Sequence, residues 1–338
     1  MKTEFQLESY LSEPTDEVIS SIASLEGDIL ILGVGGKMGP SLAKQAKRAI
    51  DSAGIDKKVI GVSRFSTPGI QLSLIDAGIE TIIANLLRED DLMDLPDIPN
   101  VIFMVGRKFG STDNESLTWT MNTYLPGRVA EKYCNSRLVV FSTGNVYPLT
   151  AVSQGGATES TEVDPIGEYA QSCLGRERIF EHFSSQFGTP MAILRLNYAI
   201  DLRYGILLDI AEKVYTDKPI SLEMGHVNVI WQRDANAVAL QSLTHCQTPP
   251  LNLNVTGPET VSIRHLALQF GAIFNKTVDF EGEESETALL SNAGLCHRLF
   301  GYPRVSLGKM IEWVAEWVLS SGNTYGKPTN FGVRDGRF

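Results

Sequence analysis

Gly33, Gly36 and Gly39 are spaced by three and follow a short apolar run, Ile29–Leu32. Beyond them Leu42, Ala46, Ala49 and Ile50 recur at helical spacing, with Lys44, Gln45, Lys47 and Arg48 opposite. A strand buried on both faces, a glycine turn and a helix are what a dinucleotide pyrophosphate requires. Glycine allows a sharp turn and a close backbone approach, and the phosphates then meet free N–H groups at the positive helix end. The spacing is GxxGxxG rather than GxGxxG, because Met38 stands three residues after Gly35. Gly33, Gly36, Lys37, Met38 and Gly39 are therefore the expected cofactor seat.

The next strand bears on which dinucleotide is held. Residues 57–62 read as a strand, and an acidic residue at its end would bind the ribose hydroxyls of NAD. Ser63 and Arg64 stand there instead. A carboxylate would repel a 2′-phosphate, whereas these two side chains can bind one, and Lys37 adds charge nearby. The expected cofactor is NADP, with NAD as the alternative.

The elements that must position these residues follow from periodicity. Apolar runs at 79–84, 101–105, 138–141 and 191–196 read as further strands, and 119–133 and 168–183 as helices. Such alternation predicts an α/β fold, a Rossmann-type doubly wound parallel sheet. The expected organisation is an N-terminal extension at 1–26, packed outside the domain, and a Rossmann domain at 27–197. A smaller C-terminal substrate-binding lobe follows at 198–322, with 228–239 returning to the Rossmann domain. A tail occupies 323–338, either disordered or folded over an active site or a partner subunit.

Composition narrows the classes. The chain has 338 residues, 43% of them hydrophobic and 20% charged, which suits a soluble globular protein. Its net charge of -11, without a long Lys/Arg cluster, argues against nucleic acid as a partner. No apolar run approaches the roughly 20 residues that span a bilayer, and the acidic start lacks an apolar signal segment. No membrane partner is expected. Four separated cysteines and five scattered histidines offer no metal-ligand spacing. They point to reduced thiols and a cytoplasmic protein without a metal.

Several segments together resemble the extended short-chain dehydrogenase/reductase superfamily, in its NAD-dependent epimerase/dehydratase branch. The glycine turn fits, as does Asn122 with Glu131 nine residues on. Ser142 to Tyr147, STGNVY, resembles the segment that places a catalytic hydroxyl on Thr143, and Tyr169 follows 26 residues later. Arg195-Leu196-Asn197 and VIWQRDANA, with Asp234, resemble two further family segments. The resemblance implies a C–OH/C=O oxidoreductase or epimerase acting on a sugar-like or other small-molecule metabolite. Tyr169 would be the proton donor or acceptor, Thr143 would orient the substrate oxygen, and Asn122 would join them. It also implies a homodimer through residues 119–133 and 168–183.

The departures from the family pattern are specific. YxxxK reads Tyr169-Ala170-Gln171-Ser172-Cys173, so Cys173 faces the cofactor where a Lys would bind ribose and lower the Tyr pKa. A neutral thiol cannot replace that charge. Arg176 could supply it, or Lys108 or Arg107 from the loop after the fourth strand, or nothing does. In the last case the chain is a catalytically degenerate dinucleotide-binding sensor or assembly partner. Gly144-Asn145 replaces the Asp-Glu of sugar 4,6-dehydratases, which argues against that reaction. Val227 stands where epimerases carry a diphosphate-clamping Arg. His226 or Arg233 could substitute, and with Asn145 and Asn197 they are the expected substrate contacts.

Overall fold

The computed structural model describes residues 1–108 and 114–337; Phe338, the end of the predicted tail, lies outside the described residues. Seven strands form one parallel sheet: β1 Ile29–Leu32, β2 Val59–Ser63, β3 Glu80–Ile83, β4 Asn100–Phe103, β5 Arg137–Thr143, β6 Met191–Leu196 and β7 Leu251–Val255. Their spatial order is β3-β2-β1-β4-β5-β6-β7. Every neighbouring pair is parallel. The order reverses between β1 and β4, and in such sheets the crevice at this reversal receives ligands. β1 and β4 are buried along their whole length, β1 and residues 101–103 of β4 as apolar runs and Asn100 through hydrogen bonds to Glu26 O and Asp28 O.

β7 is the strand that its sequence hides. LNLNV places Asn252 and Asn254 in what would otherwise be an apolar run. The strand lies at the sheet edge, and Asn254 is used for hydrogen bonding.

Besides the core that packs Leu30, Phe103, Leu125 and Phe180 on one face of the sheet, two large cores share the molecule. The first surrounds β1 and the helix Gly39–Ala53, and it takes in Ala235 to Leu240 of the helix Gln232–Ser242. The second lies in the lobe, among the helices Ile206–Tyr215, Ile263–Phe274 and Leu307–Leu319. The N-terminal extension, expected to pack on the outside of the domain, lays its apolar residues against both the Rossmann domain and the lobe. Leu7 and Leu11 are buried in the lobe core, and Val18 and Ile22 in the Rossmann core. Glu8 adds ion pairs to Lys44 of the Rossmann domain and Arg203 of the lobe, so the extension ties the two together.

The tail folds back as well. Tyr325 N–H donates to Arg203 O, Phe331 is buried in the lobe, and Arg334 donates to Thr287 and Glu223 O. Gly336 lies against Gly167, where a Cβ would fall 2.5 Å from the Gly336 carbonyl oxygen.

Gly39 is a packing glycine. A Cβ there would fall 2.2 Å from Val34 O, with no flexible group to yield. Gly39→Ala should therefore destabilise the fold by about 1–3 kcal/mol, as overpacking does. Urea denaturation followed by circular dichroism checks this; an unchanged midpoint would refute the close helix–turn contact.

Candidate functional site

The glycine turn is held by β2. Gly33 N–H donates to Val62 O at 2.9 Å, and Gly36 N–H to Gly33 O at 3.0 Å. Gly33 has a φ of 91°, which glycine adopts without strain. Gly36 is exposed, and a Cβ there would meet only Gly33 O, at 3.3 Å. The helix behind it starts at Met38 with no side-chain cap, so its first N–H groups have no capping oxygen from that residue. This open cradle and uncapped helix end fit a dinucleotide pyrophosphate. Ser63 lies against the turn, since a Cβ on Gly35 would fall 2.5 Å from its Oγ. Arg64 beside it is exposed.

A pocket of about 200 Å³ opens beyond the turn, at the carboxyl ends of β5 and β6. Lys37, Met38, Thr143, Asn145, Tyr169 and Asn197 all line it, together with Lys108. Residues from five separate stretches of sequence thus meet. Tyr169 sits in the first turn of the helix Gly167–Phe187, and Thr143 ends β5. Their side chains are hydrogen-bonded to each other, and the Cys173 thiol is hydrogen-bonded to Tyr169. Thr143 Oγ1 donates to Asn145 Oδ1 at 2.9 Å and accepts from Asn145 N–H at 3.2 Å. Burial raises the Tyr169 pKa well above that of an ordinary phenol, so the hydroxyl keeps its proton.

Lys37 is placed differently from its expected role beside Arg64. Much of its stem is exposed, but Nζ lies 2.9 Å from the centre of the Tyr204 ring, in the pocket. Desolvation there lowers its pKa to about 7, against the opposing pull of Asp201 and Asp209.

Asn122 does not reach the pocket. It is fully buried in a π-turn, Thr120–Tyr124, that interrupts the expected helix between Glu115–Trp119 and Leu125–Lys132. Its Oδ1 accepts from Arg107 N–H and from Arg176 Nη2, both at 2.8 Å, and its Nδ2 donates to Arg107 O and Ser172 Oγ. The wider π-turn commonly marks functional sites.

Two expected substrate contacts lie elsewhere. His226 pairs with Ser262 in a two-residue antiparallel bridge of the lobe. Arg233 Nε donates to Glu13 O at 2.8 Å, and its guanidinium lies 4.6 Å from the Tyr10 ring centre. The N-terminal extension has therefore taken up its charge and its donors.

Sequence reasoning missed the network beneath the site. Glu177 and Arg195 form a buried ion pair, 0% and 3% exposed, with Arg195 Nη2 at 2.7 Å from Glu177 Oε2. Ser142 Oγ also donates to Glu177. Arg195 Nη1 donates to Tyr147 Oη at 2.7 Å, and Tyr147 donates to Asn254 Oδ1 at 2.9 Å. Tyr147 and Arg195 both lie inside recognisable segments, which was the available signal. The tail, for which folding over an active site was one of the expected alternatives, brings Thr329 to the pocket, with its N–H and Oγ1 donating to Asp209 Oδ2.

Comparisons with known proteins agree with this geometry. The model of the NAD dependent epimerase/dehydratase family matches residues 29–200. No curated protein matches the chain. Among solved structures, the chain is similar to the UDP-glucuronic acid 4-epimerase of Bacillus cereus in complex with UDP-glucuronic acid and NAD. Identity is 19%, with 87% of this chain and 99% of that one covered, at a TM-score of 0.71. For the UDP-glucose 4-epimerase of Thermotoga maritima with UDP-glucose the values are 14%, 87%, 99% and 0.71. A short-chain dehydrogenase/reductase superfamily protein of Agrobacterium tumefaciens with bound NAD gives 17%, 87%, 98% and 0.71.

Removing one partner of a buried ion pair strands the other charge. Glu177→Gln should cost about 3–5 kcal/mol, whereas Glu177→Met combined with Arg195→Met should recover most of that loss. Chemical denaturation of the wild type and the two variants checks this. Equal loss in the single and double variants would refute a charge-based account.

Proposed function

Because this chain belongs to the NAD dependent epimerase/dehydratase family, we propose that it is a nicotinamide-dependent oxidoreductase or epimerase. Its substrate would be a sugar-like or other hydroxy/carbonyl metabolite. The observation that carries this reading is the hydrogen-bonded pair Thr143–Tyr169, lining the same pocket as Lys37 and Met38 of the glycine turn.

A bound nicotinamide dinucleotide supplies or removes hydride. Tyr169 supplies or takes the proton at the substrate oxygen, and Thr143 holds that oxygen by hydrogen bonding, itself oriented by Asn145. A phenol kept protonated by burial is better prepared to donate than to accept, so reduction of a carbonyl is the favoured direction. Gly33, Gly36, Lys37, Met38 and Gly39 would hold the pyrophosphate. Ser63 and Arg64, with no carboxylate at the end of β2, favour NADP over NAD.

Dehydration is disfavoured by packing as well as by residue type. A Cβ on Gly144 would fall 3.0 Å from Ser291 Oγ and 3.3 Å from Asn197, which leaves no room for an acid there. The second reading, a binding protein that has lost catalysis, draws on the neutral and fully buried Cys173. The retained Thr143–Tyr169 pair weighs against it.

A homodimer belongs to the same proposal. Trp119, Tyr124 and Phe183 line a groove of about 500 Å³ between the two helices that the resemblance implicates, and Tyr124 is 60% exposed. Cytoplasmic residence is consistent with the four free cysteines. Among the described residues no helix is long and apolar enough to cross a membrane.

Titration with NADPH and NADH, followed by nicotinamide fluorescence, tests the cofactor. We expect NADPH to bind at least tenfold tighter, about 1.4 kcal/mol. Tight NADH and weak NADPH would overturn the Arg64 argument, and binding of neither would overturn the enzyme reading. Gly36→Ala should weaken NADPH binding tenfold or more while leaving the denaturation midpoint nearly unchanged. Tyr169→Phe should lower turnover of a reducible carbonyl about 100-fold or more with NADPH affinity retained.

A further inference from the structure

The helix that carries Tyr169 offers it no cation at the next turn. Cys173 is fully buried, and burial pushes its thiol pKa up, so it stays neutral. Arg176, one turn further, pulls the Tyr169 pKa down by its charge, against the larger effect of burial, but its guanidinium is used as a strap. Its Nη1 donates to Phe141 O at 2.7 Å and its Nη2 to Asn122 Oδ1 at 2.8 Å, and it does not line the pocket. Lys108 does line the pocket, and its Nζ lies 5.7 Å from the centre of the Tyr169 ring.

The backbone before Lys108 is clamped to the Tyr169 helix. Asn122 accepts from Arg107 N–H at 2.8 Å and donates to Arg107 O at 2.9 Å. The same amide donates to Ser172 Oγ at 3.0 Å, and Ser172 lies three residues after Tyr169. One side chain thus fixes both the loop and the helix. This gives buried Asn122 a role although it never touches the pocket.

We propose that Lys108, delivered by the loop after β4, is the positioning residue that supplies positive charge to the Tyr169 hydroxyl, a task Cys173 cannot perform. The proposal rests on the reading of Tyr169 as the proton-transfer group. In reduction the Tyr169 O–H bond breaks and the substrate oxygen gains the proton, while the carbonyl carbon gains hydride from reduced nicotinamide. The phenolate left behind is stabilised by the nearby ammonium. In oxidation the same charge makes Tyr169 a better base. Among the described residues, the groups facing Tyr169 include Cys173 and Arg176 of its own helix, Thr143 of β5 and Lys108. Lys37, Tyr198 and Tyr204 line the same pocket from the glycine turn and the lobe.

Burial lowers the Lys108 pKa to about 8. Its charge is present below that pH and lost above it, so turnover should fall as pH rises through about 8. The test uses NADPH oxidation with DL-glyceraldehyde as a sugar-like carbonyl. Lys108→Met should lower kcat about 100-fold with the NADPH Kd unchanged within threefold. Lys108→Arg should keep at least tenfold more activity than Lys108→Met and move the alkaline fall to higher pH, because Arg stays charged. Cys173→Lys in the Lys108→Met background should restore activity at least tenfold, which a merely structural lysine would not allow. Wild-type turnover in Lys108→Met, or no restoration by Cys173→Lys, would overturn the proposal.

A second readout needs no turnover. pH-dependent acetylation with peptide mass mapping should give Lys108 a midpoint near 8, lower still in Cys173→Lys, against about 10.4 for surface lysines. A surface-like midpoint overturns the placement of Lys108 alone. A protein that binds NADPH yet reduces no carbonyl overturns the oxidoreductase reading and the proton step with it.

Discussion

The buried pair Glu177–Arg195 sets the geometry on which the site depends. Glu177 lies on the Tyr169 helix, accepts from Ser142 next to Thr143, and pairs with Arg195, two residues before Asn197. One carboxylate therefore fixes the helix against β5 and β6, and with them three of the pocket side chains. Tyr147 and Asn254 extend the network to β7 and to the carbonyls of Ala157 and Asn292. Such a pair gains little net stability over apolar residues of the same size, because both charges leave water. Its return is register: a slip of the helix by one residue would strand a charge in the core.

The lobe is held to the Rossmann domain by a second set of charges. Arg203 pairs with Glu8 and Asp201, and Arg233 with Glu13, so the extension neutralises cations at the domain junction. These arginines are thereby occupied in joining the domains. Among the described residues, the cations that line the pocket are lysines, Lys37 and Lys108, both partly desolvated. The tail closes the far side through Thr329 and Asp209, then crosses to Gly167 at the start of the Tyr169 helix. Both chain ends thus bear on the site, the first by fixing the lobe and the second by lining the pocket.

The parts legible in the sequence were those with local causes. Largely apolar runs marked β1 and β6 to the residue, because a strand covered on both faces favours apolar side chains, with Arg195 of β6 admitted by its pairing to Glu177. Glycine spacing marked the turn, because backbone approach is a local property. Thr143 and Tyr169 were paired by the family resemblance rather than by a local cause. β7 escaped because Asn252 and Asn254 interrupt its apolar pattern, and Asn254 finds its partners 97 and 38 residues away. Asn122 was given the right neighbourhood and a different role, because residue type cannot tell a buried amide clamp from one facing a pocket.

By itself, then, the sequence determined the doubly wound sheet and the glycine turn, since periodicity and backbone freedom act over a few residues, while the Thr143–Tyr169 pair was what the family resemblance implied. Only the tertiary structure decided which charged groups reach the pocket. Arg233 was committed to Glu13 across 220 residues and Arg203 to Glu8 across 195, whereas Lys108 was brought to the pocket by Asn122. Whether a side chain binds a ligand or its own protein depends on what long-range packing has already placed beside it.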